Sequence, residues 1–285
     1  MQGDPGVLPE KVLLKDIAIG VAGGTLQGLA GELATAPSGR PIRLALENAD
    51  RTLRMVATPG GQGWTVGIEG FGWAPFGNPA YQFQSLQAKA ELQGERLLVH
   101  DMDSVILGGV FKGNWSLDWN SGLAMNSELA LARINLKQLL GAMFPALHGD
   151  GELSGTLRVR ASGDDWGALW RRLEGGLDLE IARGQLVGLD IAEPVRRGGT
   201  EVIRGGRTRF DRLTGHLRFN GDGVTGTEIK LDAGLMTAAG SFQGAADGKV
   251  DGAFAVLVGP VRGAGARAPV KVIGILPELS TLVGR

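Results

Sequence analysis

The chain has 285 residues and a formal net charge of −1 at pH 7, so no global electrostatic field attracts it to nucleic acid or another polyanion. Cysteine is absent, which excludes disulfides and thiolate metal sites and suits any compartment, including a bacterial periplasm. Glycine accounts for 48 of the 285 residues, well above the usual share of about 7 %. Because the glycines follow no collagen-like period, we expect them in turns and closely packed strands.

The first part of the chain, residues 12–119, reads as successive strands and turns. Residues 12–19 form a candidate first strand, and PGG at 59–61 is a turn signal. Residues 71–79 contain two prolines and an aromatic cluster, which predicts an irregular loop or a sheet edge. Residues 105–119 alternate without a break and exceed a usual strand, so we expect either a bend near Gly108 or an unusually elongated sheet.

Short helices interrupt the strands. A helix near 135–144 has Asn135 as N-cap and is stopped by Pro145, and a second near 165–174 is capped by Asp164 or Asp165 and ended by the glycine pair at 175–176. A third helical turn is expected from Asp190, with Pro194 in its first turn. Helices this short do not stand alone in water, so we expect them to pack on the sheet.

From Leu153 onward one pattern recurs: a strand with apolar residues at alternate positions, then a glycine-marked turn. Such strands form an antiparallel sheet with one apolar and one polar face. The sequence therefore predicts a mostly-β fold of curved antiparallel sheets, as an open groove or half-barrel, with two to three short covering helices. What covers the apolar face decides the function.

No set of residues in the sequence indicates a catalytic or metal-binding site. GDGVTG at 221–226 has the spacing of a dinucleotide motif, but a strand follows it, so a β-turn is expected. His100, His148 and His216 are scattered, and the carboxylates near His100 lack a partner cluster. We predict no catalytic residue, no metal and no cofactor, and hence no enzyme. An enzyme on a β scaffold, such as a polysaccharide-acting protein, is the disfavoured alternative.

A basic segment follows the third helical turn. Its arginines suit anionic head groups because a guanidinium binds phosphate oxygens in pairs. The alternative is a solvated loop with neutralising counterions. Nucleic acid is not expected as a partner, because Phe210 is the sole interleaved aromatic residue. The head-group candidates are Arg196, Arg197, Arg204 and Arg207.

The apolar strand positions could line a lipid groove, although core packing and sheet cover are the simpler role for the tryptophans among them. Acyl chains need apolar area and no specific chemistry. The groove candidates are Leu107, Phe111, Trp115, Leu153, Leu157, Val159, Leu177, Leu179, Ile181, Leu217 and Phe219.

Several segments follow one another in a fixed order between about residues 97 and 279. A paired glycine precedes a long strand in DMDSVILGGVFKGNWSLDW, and a cap precedes a short helix in LARINLKQLL. Strand, helix, strand and helical turn then follow in GDGELSGTLRVRASGDDWGALWRRLEGGLDLEIARGQLVGLDIAE. Hairpins come next in GGRTRFDRLTGHLRFNGDGVTGTEIKLDAGLMTAAGSFQGAADGKVDGAFAV, and a closing strand in VKVIGILPEL. In this order the segments resemble the C-terminal region of the AsmA family of bacterial envelope proteins.

The resemblance implies a periplasmic protein held to the inner membrane by an N-terminal helix, with a function in outer-membrane biogenesis. It also implies curved sheets with apolar interiors that carry phospholipids. Residues 1–96 fit loosely as an N-terminal β region, and residues 97–285 form the AsmA-like region. The sequence has neither that anchor nor a signal peptide at its start, so we expect attachment through a segment absent from this chain.

We therefore expect a non-enzymatic periplasmic envelope protein that handles or transfers phospholipid or another acyl lipid. The alternative is a structural or assembly factor whose apolar sheet face binds a protein partner, for instance an outer-membrane assembly protein.

Overall fold

The computed structural model describes residues 10–21, 24–75, 79–198, 201–259 and 265–284. Across these residues it contains eighteen strands of one antiparallel sheet, three short α-helices and a 3-10 turn at Pro79–Tyr81. The expected mostly-β antiparallel fold with two to three short helices is confirmed. None of the described helices is long and apolar enough to span a membrane.

The elements follow in chain order. The first strands are β1 (Lys11–Val21), β2 (Gly24–Thr35), β3 (Pro41–Asn48), β4 (Leu53–Gly60), β5 (Gly63–Trp73), β6 (Phe83–Gln93), β7 (Arg96–Ile106), β8 (Gly109–Asp118) and β9 (Leu123–Asn135). Next come α1 (Leu136–Met143), β10 (His148–Gly163), α2 (Trp166–Arg171), β11 (Glu174–Val187), α3 (Glu193–Arg197) and β12 (Ile203–Arg204). The last strands are β13 (Arg207–Asn220), β14 (Gly223–Ala233), β15 (Met236–Ala245), β16 (Lys249–Val258), β17 (Ala266–Ile275) and β18 (Glu278–Val283).

The chain divides into two compact units. The described part of unit 1 consists of residues up to Ile106 together with Phe111–Leu129 and Ala161–Arg171. Unit 2 consists of Leu107–Val110, Ala130–Arg160 and the described residues from Arg172 onward.

Unit 1 carries an apolar row that crosses seven strands. Because side chains alternate along a strand, residues in register on neighbouring strands share a face. At the end of this row Ala90 and Val99 are buried, with Ala88, against Val66, Ile68, Leu97, Met102 and Trp115. The row consists of Val12, Leu33, Leu44, Ala57, Val66, Ala90 and Val99.

Unit 2 has several such rows on its apolar face, and burial falls across three of them. The inner row is buried over most of its length; it consists of Leu153, Ile181, Leu213, Leu231, Ala238, Val256 and Ala268. The middle row is half-buried from Leu157 to Leu217 and then alternates large and small residues; it consists of Leu157, Leu177, Leu217, Gly226, Phe242, Gly252 and Val272. The outer row is half-buried throughout and consists of Val159, Gly175, Phe219, Val224, Gly244, Val250 and Gly274.

Glycines on this face lie beneath aromatic rings of neighbouring strands. A Cβ added at Gly175 would lie 2.9 Å from the ring of Phe219, and one at Gly240 would lie 2.7 Å from the ring of Phe254. Much of the glycine excess in this part of the sequence therefore serves close packing, because the rings need the space of a missing side chain.

All three predicted helices are present, and the first two pack on β10. The Asn135 side chain accepts a hydrogen bond from the Gln138 N–H at 3.0 Å, so it is the predicted N-cap of α1. The side chains of α1 lie against Gly149, because a Cβ there would be 3.3 Å from Leu140. The Asp165 side chain caps α2 by accepting from the Ala168 N–H at 2.7 Å.

Two details of the predicted elements are corrected. The glycine pair at 175–176 does not end the second helix, since α2 stops at Arg171 and both glycines belong to β11, in register with β10 and β13. Of the two alternatives for the run 105–119, the bend near Gly108 is confirmed, because Leu107 and Gly108 form a turn with φ of +53° and +71°. The correction concerns Leu107 itself, which was expected on a strand face. Leu107 is therefore a turn residue and not part of a strand face.

One further expectation is confirmed, and three predicted segments lie partly or wholly outside the described residues. The 221–226 motif is a hairpin, as expected: β13 ends at Asn220, whose side chain accepts from the N–H groups of Asp222 and Gly223. Residues 76–78 of the predicted irregular loop, residues 199–200 of the basic segment and residues 1–9 at the start lie outside the described residues.

Candidate functional site

The apolar face of unit 2 brings together eight of the eleven groove candidates. Leu153 and Ile181 lie in the buried inner row, next to the row of Leu179. The remaining five occupy the middle and outer rows and are half-exposed: Leu157, Val159, Leu177, Leu217 and Phe219. Of the other three candidates, Leu107 is in the β7–β8 turn and Phe111 and Trp115 belong to unit 1.

One end of this face is filled by the protein's own chain. Helix α3 packs against β16, β17 and β18. Ile191, Ala192, Pro194 and Val195, which form or precede the helix, are all buried. The apolar face is therefore covered at the α3 end and half-exposed along the middle and outer rows.

Two buried threonines hold the α3 segment in place. The Thr281 hydroxyl donates to the Asp190 carbonyl at 2.9 Å. The Thr208 hydroxyl donates to the Leu189 carbonyl at 2.8 Å and accepts from the Ile191 N–H at 3.1 Å. Strand β12, just after the helix, pairs with β18. Because both ends of the segment are anchored, α3 is a fixed cover of the sheet.

Sequence reasoning missed several residues of the same face. Val224, Phe242, Val250 and Phe254 extend the half-exposed area across β14, β15 and β16. The alternation that could have found them is present in the sequence, but alanine and glycine occupy many of the inward positions there and weaken the signal.

The opposite face of unit 2 is polar and carries cross-strand ion pairs. Asp178 contacts His216 at 2.6 Å and Arg158 at 3.4 Å, and the hydrogen bond with His216 is the main reason that the pKa of Asp178 is lowered. Arg212 and Glu180 form a further pair between neighbouring strands. These groups are solvent-exposed, so the pairs contribute little to stability and mainly mark the hydrated face. Among the described residues no group of three or more His, Asp or Glu side chains could hold a metal ion.

The structure separates the four arginine candidates into two sets. Arg196 and Arg207 line one cleft of about 700 Å³ in unit 2, and the cleft also contains Arg209, which was not among the candidates. Arg197 does not line the cleft and forms ion pairs with Glu193 at 2.9 Å and Glu201 at 3.5 Å. Arg196 also lies 3.7 Å from Glu193. The Glu193 hydrogen bond raises the pKa of Arg197, and Arg197 in turn lowers the pKa of Glu193.

Arg204 also lies apart from the cleft. It belongs to β12 and is in register with Ser280 of β18. The wall of the cleft includes buried apolar side chains, notably Phe210 and Met236, so the site combines a cationic rim with an apolar wall.

Comparison with known proteins identifies the family. The profile of the AsmA family matches residues 75–228, just over half of the 285-residue chain. The chain belongs to the AsmA family. No curated protein and no solved structure matches the sequence. The AsmA match extends from residues before β6 into β14, so it includes α3, the arginine-bearing strand β13 and the six groove candidates on β10 and β11. AsmA membership associates the chain with the bacterial envelope and outer-membrane assembly.

Proposed function

We propose that this AsmA protein is a non-enzymatic lipid-handling component of the bacterial envelope. The half-exposed middle and outer rows of unit 2 would bind the acyl chains of a phospholipid or similar lipid. We further propose that the intact protein works in the periplasm, attached to the inner membrane.

The observation that carries this proposal is the graded burial of the apolar face. A sheet whose apolar face served only as core would be covered along its length. Here Leu157, Leu217 and Phe219 are only half-buried, although most of the inner row is buried. Each methylene group that such a surface removes from water contributes about 0.8 kcal/mol, and no reactive group is needed.

The test is native mass spectrometry with lipid extraction on the purified chain. We expect about one or more phospholipids per chain, and loss of that lipid in Leu217→Glu, because a carboxylate in the middle row would have to be desolvated against acyl chains. Arg218→Glu is the matched control, since it places the same group on the hydrated face of the same strand. We expect that variant to retain lipid.

An assembly role is the second candidate, because a half-exposed apolar face can also bind a protein and the family is associated with outer-membrane assembly. A folded wild-type chain that carries no lipid, yet forms a stable complex lost in Leu217→Glu, would overturn the lipid proposal in favour of this one.

A further inference from the structure

One end of unit 2 combines exposed apolar and cationic side chains. The β14–β15 hairpin turns at Gly234 and Leu235, and 69 % of Leu235 is exposed. Gly234 has φ of +63°, which leaves Leu235 at the tip of a tight two-residue turn. Val187, at the end of β11, is 40 % exposed and in register with Arg207. Leu235 is therefore an exposed apolar side chain at the tip of this hairpin.

The cleft arginines lie beside this tip. Gly234 and Met236, on either side of Leu235, line the same cleft as Arg196, Arg207 and Arg209. Arg207 and Arg209 alternate along β13, so both project from the same face of the strand, about 7 Å apart. All three arginines are solvent-exposed.

Three arginines and two carboxylates line the cleft, and one of the arginines, Arg196, also pairs with Glu193 at 3.7 Å. Arg207 and Arg209 are therefore the cations that favour an anion. The Oδ1 atom of Asp190 accepts hydrogen bonds from the N–H groups of Ala192 and Glu193, both at 3.0 Å, so this carboxylate is engaged by the start of α3. Asp211 is exposed on β13, two positions after Arg209. It is therefore the group that opposes anion binding most directly.

We propose that this end of unit 2 docks on a bilayer surface that contains anionic phospholipid. The arginines would contact lipid phosphates while Leu235 enters the interfacial layer. Exposed cations and one apolar anchor are each weak membrane signals, and together they give stable but reversible contact. Docking involves the α3 end of unit 2 and does not depend on acyl-chain binding by the half-exposed rows.

The test is co-sedimentation of the whole chain with phosphatidylcholine vesicles that contain or lack phosphatidylglycerol. We expect binding to the anionic vesicles only, weakened by salt because the Debye length shortens. Replacing both strand arginines (R207Q with R209Q) should lower the affinity by roughly tenfold or more, as expected for two cations near an anionic surface. Leu235→Ser should lower the affinity for anionic vesicles without changing its salt dependence. Asp211→Asn should raise that affinity.

Matched controls separate docking from general charge and hydrophobicity. Arg218→Gln removes an exposed arginine near the opposite end of β13, and Ile275→Ser removes an exposed apolar residue at the opposite end of β17. Both should bind as the wild type does.

Equal binding to vesicles without phosphatidylglycerol, or equal losses in the two control variants, would overturn the proposal. Full competition by free glycerol phosphate would also overturn it, in favour of a pocket for a small anion. Leu217→Glu should still dock, so failure of the acyl-chain proposal and failure of docking are distinguishable.

Discussion

At the scale of single residues, the glycines of the apolar face are as informative as its large side chains. In unit 2 the rings of Phe219, Phe242 and Phe254 each lie over a glycine of a neighbouring strand. This arrangement keeps large apolar groups flat against the backbone and leaves room above them. Even a single methyl group added at such a glycine would therefore displace a ring.

We therefore expect Gly226→Ala to destabilise the protein by about 1–3 kcal/mol, the usual cost of overpacking. The added Cβ would overlap the ring of Phe242. Gly141→Ala in α1 is the control, because its Cβ would meet nothing within 4 Å and alanine favours a helix by up to about 1 kcal/mol. Urea unfolding measures the change in stability of both variants. An unchanged midpoint for Gly226→Ala would mean that the ring is free to move aside.

The residue scale also shows where sequence reasoning succeeds. Strict alternation at 152–162 and 213–219 was enough to predict strands and to separate their faces, and the cap at Asn135 was visible as a local pattern. Gly175 was misread because its reason for being glycine is Phe219, which is 44 positions away (219 − 175) and outside any local window. Leu107 was placed on a strand face because the expected bend was located at Gly108, whereas the turn also includes Leu107 at positive φ.

At the scale of elements, α3 decides how much of the apolar face is exposed. Five helical residues would not be stable alone, so their position depends on anchors outside the helix. The sequence indicated the helical turn at Asp190, but its contact with β16–β18 depends on Thr281 and could not be read from local periodicity. The arginine cleft follows from the same placement, which is why Arg209 was missed.

Thr281→Val keeps the side-chain shape of the buried Thr281 but leaves the half-buried Asp190 carbonyl without this donor. We expect a loss of about 1–3 kcal/mol in the free energy of unfolding and faster amide exchange in residues 189–198. Thr227→Val changes an exposed threonine on β14 and should have almost no effect. Unaltered exchange in Thr281→Val would show that β12 and the apolar contacts alone hold the helix.

At the scale of the whole molecule, unit 2 relies on contacts between distant parts of the chain. Most strands pair with their immediate neighbour in sequence, which alternation and turn signals can predict. The β12–β18 pair joins residues near 204 to residues near 280 and has no such signal. The antiparallel architecture was therefore predictable from sequence, whereas the extent of self-coverage was not.

Removal of β18 tests this dependence. A chain that ends at Pro277 loses the partner of β12 and the Thr281 hydroxyl, so α3 should detach and expose Val256, Val270 and Val272. We expect a marked rise in the fluorescence of a dye that binds apolar surface, with the far-ultraviolet signal of the β-sheet largely retained. Dye fluorescence equal to that of the full chain would contradict the anchoring role of β18.

The hydrogen bond between Thr281 and the Asp190 carbonyl also has a consequence for biosynthesis. The two residues are 91 positions apart, so the helix leaves the ribosome well before its anchor is translated. At about 5–20 residues per second this interval lasts several seconds or more. During that time the strands up to β17 can pair one after another while the apolar face of the sheet is not yet covered by α3. The nascent chain would then be a client for chaperones that shield apolar surface. Synthesis of β18 ends this period, because it supplies Thr281.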